Sequence, residues 1–122
     1  MLGKSRTVAS AFMIIALLAG CTTPLRPQRV DANQEKSVKS LASESKAQIE
    51  FVNRSGQPVK VFWIDFDGRR KLYKALKRGE SYDQQTYLNH PWEVTDAGDH
   101  PWYIFFADAQ PRTVSIVAPA AQ

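Results

Sequence analysis

Six side chains in the second half of this 122-residue chain have the chemistry of a recognition site: Trp63, Tyr73, Thr86, Tyr87, His90 and Trp92. The rings offer rigid apolar faces at low entropic cost. Thr86 and His90 add an acceptor and a donor for a polar group held between those rings. The set suits a peptide or a compact ring-shaped ligand, and it holds nothing that makes or breaks bonds. Ser81 and Ser115 lack the sharp strand-to-helix context of a nucleophilic serine. Asp65 and Asp67 flank Gly68 and read as turn caps, and Asp96-Ala97-Gly98-Asp99 reads as a second turn. Two histidines and no cysteine after Cys21 give no zinc-ligand spacing. The expectation is a binding module without catalytic residues, metal or cofactor, and not an enzyme.

The elements that must position these side chains are short strands. From Gln48 onward, twelve of 75 residues are Phe, Tyr or Trp, enough for one small core. Strands are predicted over 49–52, 59–66, 70–76, 81–86, 92–95, 102–107 and 113–117, with turn residues between them. Pro91, Pro101 and Pro111 sit just before strands, where a missing N–H does least harm. The spacing predicts an all-β fold, a seven-stranded antiparallel β-sandwich. Strand 59–66 is apolar on both faces and should lie centrally. Strand 70–76 carries charge on both sides, which marks a protected sheet edge. Strict alternation puts Arg69, Lys71 and Tyr73 on one side and Arg70, Leu72, Lys74 and Leu76 on the other.

Ahead of the sandwich stands a leader. Lys4 and Arg6 precede the apolar run 8–18, which is shorter than the roughly 20 residues of a spanning helix and fits a signal-peptide core. Leu18-Ala19-Gly20-Cys21 closes it and resembles the lipobox of bacterial lipoprotein precursors. That resemblance implies cleavage before Cys21, diacylation of its thiol and membrane attachment by several acyl chains. Thr22, rather than Asp, follows the cysteine, which implies an outer membrane facing the periplasm, or the outer leaflet of the cell membrane where there is no outer membrane. The expected organisation is a signal peptide over 1–20, a lipid-anchored linker over 21–47 and the sandwich over 48–122. The linker has five basic and three acidic groups and no aromatic ring, so it is expected to be flexible or, over 37–47, partly helical. Cys21 is the only cysteine, which excludes an intramolecular disulfide.

The stretches Asn53-Arg54-Ser55, Trp63-Ile64-Asp65-Phe66-Asp67-Gly68 with Tyr73 and Leu76, Gly79, Tyr87 with His90 and Trp92, and Asp96-Ala97-Gly98 resemble the β domain of the von Hippel–Lindau (VHL) tumour suppressor family. The likeness runs from Ile49 to about Val117. It implies a seven-stranded sandwich that recognises a peptide bearing 4-hydroxyproline. Carried over by position, Trp63, Tyr73 and Trp92 are walls of the hydroxyproline pocket, and His90 bonds the hydroxyl. Thr86 replaces a serine that contacts the same hydroxyl, and Tyr73 also reaches the peptide backbone. Gln85 stands where the family has a histidine. The family's helical domain has no counterpart after residue 118, so no ubiquitin-ligase adaptor is expected as a partner.

The function expected is therefore a non-catalytic, extracytoplasmic module that binds a peptide or small ligand containing proline or hydroxyproline. The competing reading is a structural or assembly lipoprotein of the envelope with no ligand pocket, its rings serving only as core. Exposure of Tyr73, His90 and Trp92 separates the two. Arg69, Arg70, Lys71, Lys74, Lys77 and Arg78 form a basic run that either protects a sheet edge or meets anionic lipid or an acidic partner. Nucleic acid is not expected, because residues 48–122 balance nine basic groups against nine acidic ones.

Overall fold

The computed structural model describes residues 35–120, together with Gly3 and the backbone of Gln28–Arg29. The rest of the expected signal peptide, the lipobox with Cys21 and most of the linker to residue 34 lie outside the described residues. Eight strands are present among the described residues: β1 (Gln28–Arg29), β2 (Lys46–Asn53), β3 (Val59–Ile64), β4 (Arg70–Leu76), β5 (Ser81–Tyr87), β6 (Pro91–Asp96), β7 (Pro101–Phe106) and β8 (Arg112–Ile116). They form two sheets, one in the order β1-β7-β6-β3-β4 and one in the order β5-β2-β8. The fold is all-β, and seven of the strands are those legible as alternating apolar runs. The two-residue β1 is an addition at the edge of β7. One pairing departs from the antiparallel expectation: β8 runs parallel to β2, with Phe51 opposite Val114. A parallel neighbour cannot follow through a hairpin. Here the chain completes β3 to β7 before returning beside β2.

The register of β3 sorts its side chains. Val61 faces Val94 and Trp63 faces Trp92 across to β6. These point inward and join Ile49, Phe51, Phe105, Val114 and Ile116 in the core between the sheets. Phe62 faces Glu93 instead, on the outer side. Asn53 ties the chain together at one end of this core. Its buried amide donates to the carbonyls of Gln57, Leu76 and Lys77, and its oxygen accepts from the amide and hydroxyl of Ser55. At the other end Asp65 accepts from the amides of Asp67 and Arg69, which stops β3 two residues short of the predicted end. Those bonds hold the Asp65 carboxyl below its usual range. Gly68, with φ of 80°, closes the loop.

Strand β4 breaks the simple alternation. Val61 is opposite Lys74, but Phe62 is opposite Leu72, so Tyr73 is an extra residue in a β-bulge. Opposed residues share a face. Lys74 and Leu76 therefore lie on the inner side with Lys71, while Leu72 and Arg70 lie outside. The sequence-based division of this strand is corrected beyond Tyr73, where Lys74 and Leu76 share the side of Lys71 rather than that of Arg70 and Leu72.

The outer face of the five-stranded sheet is also covered. Phe62, Ile64, Thr95 and Ile104 are buried there. Residues 38–45 form no helix, contrary to the helical option, and 46–47 already belong to β2. Serines in this segment bond the sheet and their own backbone rather than supporting a helix. The Ser40 hydroxyl donates to the Ile64 carbonyl at 2.6 Å, the Ser40 amide donates to Asp65 and the Leu41 amide to Asn89. Glu35 pairs with Arg70, whose guanidinium also lies 2.5 Å from Glu93 Oε1.

Glu93 is fully buried, and neither of its oxygens receives a well-directed hydrogen bond among the described residues. Its contact with Arg70 is therefore chiefly electrostatic. Burial pushes the Glu93 carboxyl up to about 7, the Arg70 charge opposes this and the neighbouring Glu35 adds to it. A carboxyl whose folded pKa exceeds its unfolded value holds its proton more tightly when folded. Its contribution to stability is full below the unfolded value of 4.5 and is lost as pH rises through about 7. Replacing Glu93 with Gln should flatten the decline in stability between roughly pH 5 and 8. Denaturant midpoints of the native and Glu93→Gln chains across that range check this; profiles that stay parallel would refute it.

Candidate ligand-recognition site

Strand register, a bulge and two turns assemble the rings. Trp63 on β3 and Trp92 on β6 are direct neighbours across the strands. The bulge brings Tyr73 edge-on to both, with centroids 4.9 Å from Trp92 and 6.2 Å from Trp63. The β5–β6 turn supplies His90. Asn89 takes φ of 65° there, a left-handed conformation that asparagine tolerates. His90 stacks on Trp63 at 5.5 Å and touches Tyr87 at 5.4 Å. Phe66, from the loop after β3, packs edge-on against both Trp63 and His90.

The resulting patch runs from core to solvent. Trp92 is 2 % exposed and forms its floor, while Tyr73 at 49 % and Phe66 at 52 % form its outer surface. Trp63 is half-buried, and Tyr87 is exposed. Thr86 is buried beside Trp92 and accepts from its indole N–H at 2.7 Å. That bond uses one lone pair of the hydroxyl and leaves its own hydrogen free to donate. The six sequence-predicted residues are thus connected, but Trp92 and Thr86 sit beneath the patch rather than at its rim.

Phe66 was not among the sequence-predicted site residues. Its alternation assigned it to the end of a strand. The signal was its place between Asp65 and Asp67: once Asp65 caps the loop, the ring between two carboxylates must face outward.

His90 is 9 % exposed, and its Nε2 is sealed and without a partner among the described residues. Burial lowers its pKa, and a hydrogen bond with the Leu41 backbone partly offsets this. The neutral ring that burial favours carries one proton. With that proton directed to the Leu41 carbonyl, Nε2 is an unspent acceptor. The indole N–H of Trp63, stacked on the same ring, is an unspent donor. A buried donor and acceptor left open are costly, and a hydroxyl is a group that satisfies both.

A groove of about 570 Å³ lies beside the patch, lined chiefly by Lys46, Gln48, Gln85, Tyr87, Gln110 and Pro111. Thr86 and Tyr87 belong to both. This hollow has a mixed polar and apolar lining and adjoins the rings rather than lying between them. Among the described residues no cluster of three His, Cys, Asp or Glu side chains could hold a metal ion. The Asp96 carboxylate accepts from the amides of Gly98 and His100 and meets the His100 ring at 3.0 Å, as a turn does.

The profile of the VHL beta domain family matches residues 38–104, more than half of the chain. The chain belongs to the VHL β-domain family. The match begins at Val38, eleven residues before the likeness legible in the motifs, and so takes in the Ser40–Leu41 segment on the outer face. It spans all six predicted site residues. This family is a non-catalytic interaction module, and the VHL β domain described here has the two-sheet architecture.

The Trp92–Thr86 bond sets the depth of the patch, because it fixes the floor ring against the second sheet. Replacing Thr86 with Val leaves the buried indole N–H without an acceptor and should cost about 1–3 kcal/mol. Chemical denaturation measures the loss. A cost near that of an exposed substitution would show that the bond is not maintained in solution.

Proposed function

We propose that this VHL β domain is a lipid-anchored recognition module whose ring patch binds a proline- or hydroxyproline-bearing segment of another protein. The observation that carries the reading is the pairing of exposed rings with unspent polar atoms. Tyr73, Phe66 and Tyr87 offer the apolar faces on which a pyrrolidine ring packs. Beneath them stand the His90 acceptor and the Trp63 donor. The family resemblance assigns the hydroxyl contact to His90 and Thr86 and the side faces to Trp63, Tyr73 and Trp92. Hydroxyproline would reach those polar atoms by displacing Phe66, which is half-exposed and borne on a loop. A site that pairs a hydroxyl discriminates against the ligand without one, because its own buried groups then go unpaired.

Calorimetric titration of the purified full-length chain with matched proline and hydroxyproline peptides tests the reading. Tighter binding of the hydroxylated peptide, reduced at least tenfold by His90→Ala, is the expected result. Equal binding of both would remove hydroxyl recognition and leave a proline platform. No binding of either would favour the envelope-scaffold reading, in which the rings only close the core.

The anchor rests on the leader. Leu18-Ala19-Gly20-Cys21 follows a charged and an apolar stretch, which supports cleavage, diacylation at Cys21 and display from an envelope membrane, the outer one facing the periplasm where it exists. Expressed in a bacterial cell, the native chain should partition into detergent and the Cys21→Ser chain into buffer. Identical partitioning would refute the lipid anchor.

A further inference from the structure

We propose that the segment bound at the ring patch is acidic, with its carboxylates held by Lys71 and Lys74 on either side of Tyr73. The proposal rests on the recognition reading above and names the chemistry of the partner.

The bulge is the decisive observation. Regular alternation would set Lys71 and Lys74 on opposite sides of β4. The extra residue at Tyr73 places both on the inner side, opposite Trp63 and Val61. Lys71 accordingly lies over the Trp63 ring, 5.5 Å from its centroid. The result is a lysine–tyrosine–lysine cluster at the margin of the patch. Arg69 precedes it, and Lys77 and Arg78 follow at the next turn.

Ion pairing separates these cations from Lys60, Arg70 and Arg112. Lys60 is held by Asp99, Arg70 by Glu35 and Glu93, and Arg112 by Asp108. Arg69, Lys71, Lys74, Lys77 and Arg78 make no close ion pair among the described residues, although Asp65 is near enough to Lys71 and Arg69 to feel their charge. Nor does the facing strand neutralise them. β4 and β5 are edges of different sheets. The inward residues of β5 are Tyr82, Gln84 and Thr86, opposite Phe51, Ile49 and Ala47, whereas Asp83 is opposite Glu50 on the far side. The seam between the two edges therefore has cations on one wall and no carboxylate on the other. Edge protection needs only charge somewhere on β4; it does not account for two lysines brought to the side of the rings.

The shape favours a peptide over a membrane. The cations border a seam whose floor is aromatic, and Lys71 and Lys74 stand roughly 10 Å apart along β4. An extended chain can lie there with a ring residue on Tyr73 and carboxylates on both lysines. A flat leaflet reaches only what protrudes.

The test uses two peptides of equal length around the same central hydroxyproline, one flanked by Asp and Glu and the other by Asn and Gln. Titrated against the full-length chain at low salt, the acidic peptide should bind roughly tenfold tighter. The ratio should collapse at high salt and in the Lys71→Gln/Lys74→Gln chain, to which the two peptides should bind alike. Equal binding of both peptides would overturn this inference and leave the ring patch as a recognition site. Binding of neither would overturn both readings. Binding of the chain to vesicles of anionic lipid that is abolished in the double variant, with no preference between the peptides, would assign the lysines to a membrane surface instead.

Discussion

The cross-strand pair Trp63–Trp92 is the constraint on which the rest of this domain depends. One register decides both faces of the larger sheet. With the two indoles opposed and inward, Phe62 and Glu93 must be opposed and outward. A slip of one residue would move the indoles to the outer face and bring the buried carboxylate into the core. The two indoles also differ in depth. Trp92 is deep enough to bond Thr86 of the other sheet, while Trp63 remains half-buried under Phe66. The patch is therefore an extension of the core rather than a separate structure on its surface. Its Trp63, Tyr73 and Trp92 rings are borne on strands and held by the same packing that joins the sheets, whereas Phe66 is borne on the loop after β3.

The outer face serves the site as well. Arg70 and Tyr73 stand on the same strand on either side of the bulge's change of face. Arg70 gathers Glu35, Glu93 and the carbonyl of Asp99 outside, while Tyr73 meets the indoles inside. Ser40 and Leu41 fasten the incoming chain to β3 and to the β5–β6 turn. Leu41 thereby holds Asn89 through its amide and the His90 ring through its backbone. The segment before β2 is thus part of the support of His90, and it lies within the family match, which begins at Val38.

Much of this was legible in the sequence because the informative signals were local. Asp67-Gly68 announces a turn through its carboxylate and glycine, although the strand before it ends at Ile64 rather than at the predicted Phe66. Val59 to Ile64 announces a strand covered on both sides, because apolar residues fall on both of its faces and only Lys60 interrupts them. What escaped was whatever depends on a partner distant in the chain. Charge on both sides of β4 conceals a bulge, because neither face has an apolar stripe whose period would break. Strand direction has no compositional mark, so the parallel β2–β8 pair was unreadable. Serines at 40, 43 and 45 mark only weak helix propensity; the bond from Ser40 to β3 appears only once the sheet exists. The aromatic residues of the site were recognisable as a set, yet their depths were not. Trp92 and Tyr73 have the same apolar character, and only the position of β6 inside the sheet and of β4 at its edge buries one and exposes the other.

The bulge also resolves a conflict between protecting an edge and keeping a site open. An edge strand that carries regular alternating lysines repels other sheets but directs half of its charge away from any ligand. A flat apolar edge would hold a ligand and would also pair with other chains. One extra residue at Tyr73 reconciles the two demands. It interrupts the ladder along β4, which discourages a further strand, and it turns one ring and two cations toward the seam between the sheets. The same insertion leaves Leu72 and Arg70 facing outward, where Arg70 can reach the buried carboxylate of Glu93. Deleting that residue would restore continuous pairing and keep Lys71 and Lys74 inward and Arg70 and Leu72 outward, because those faces already follow the register with β3. The outer ion pair would persist with the register of β3 and β6 unchanged, and what the insertion alone adds is the Tyr73 ring against the two indoles.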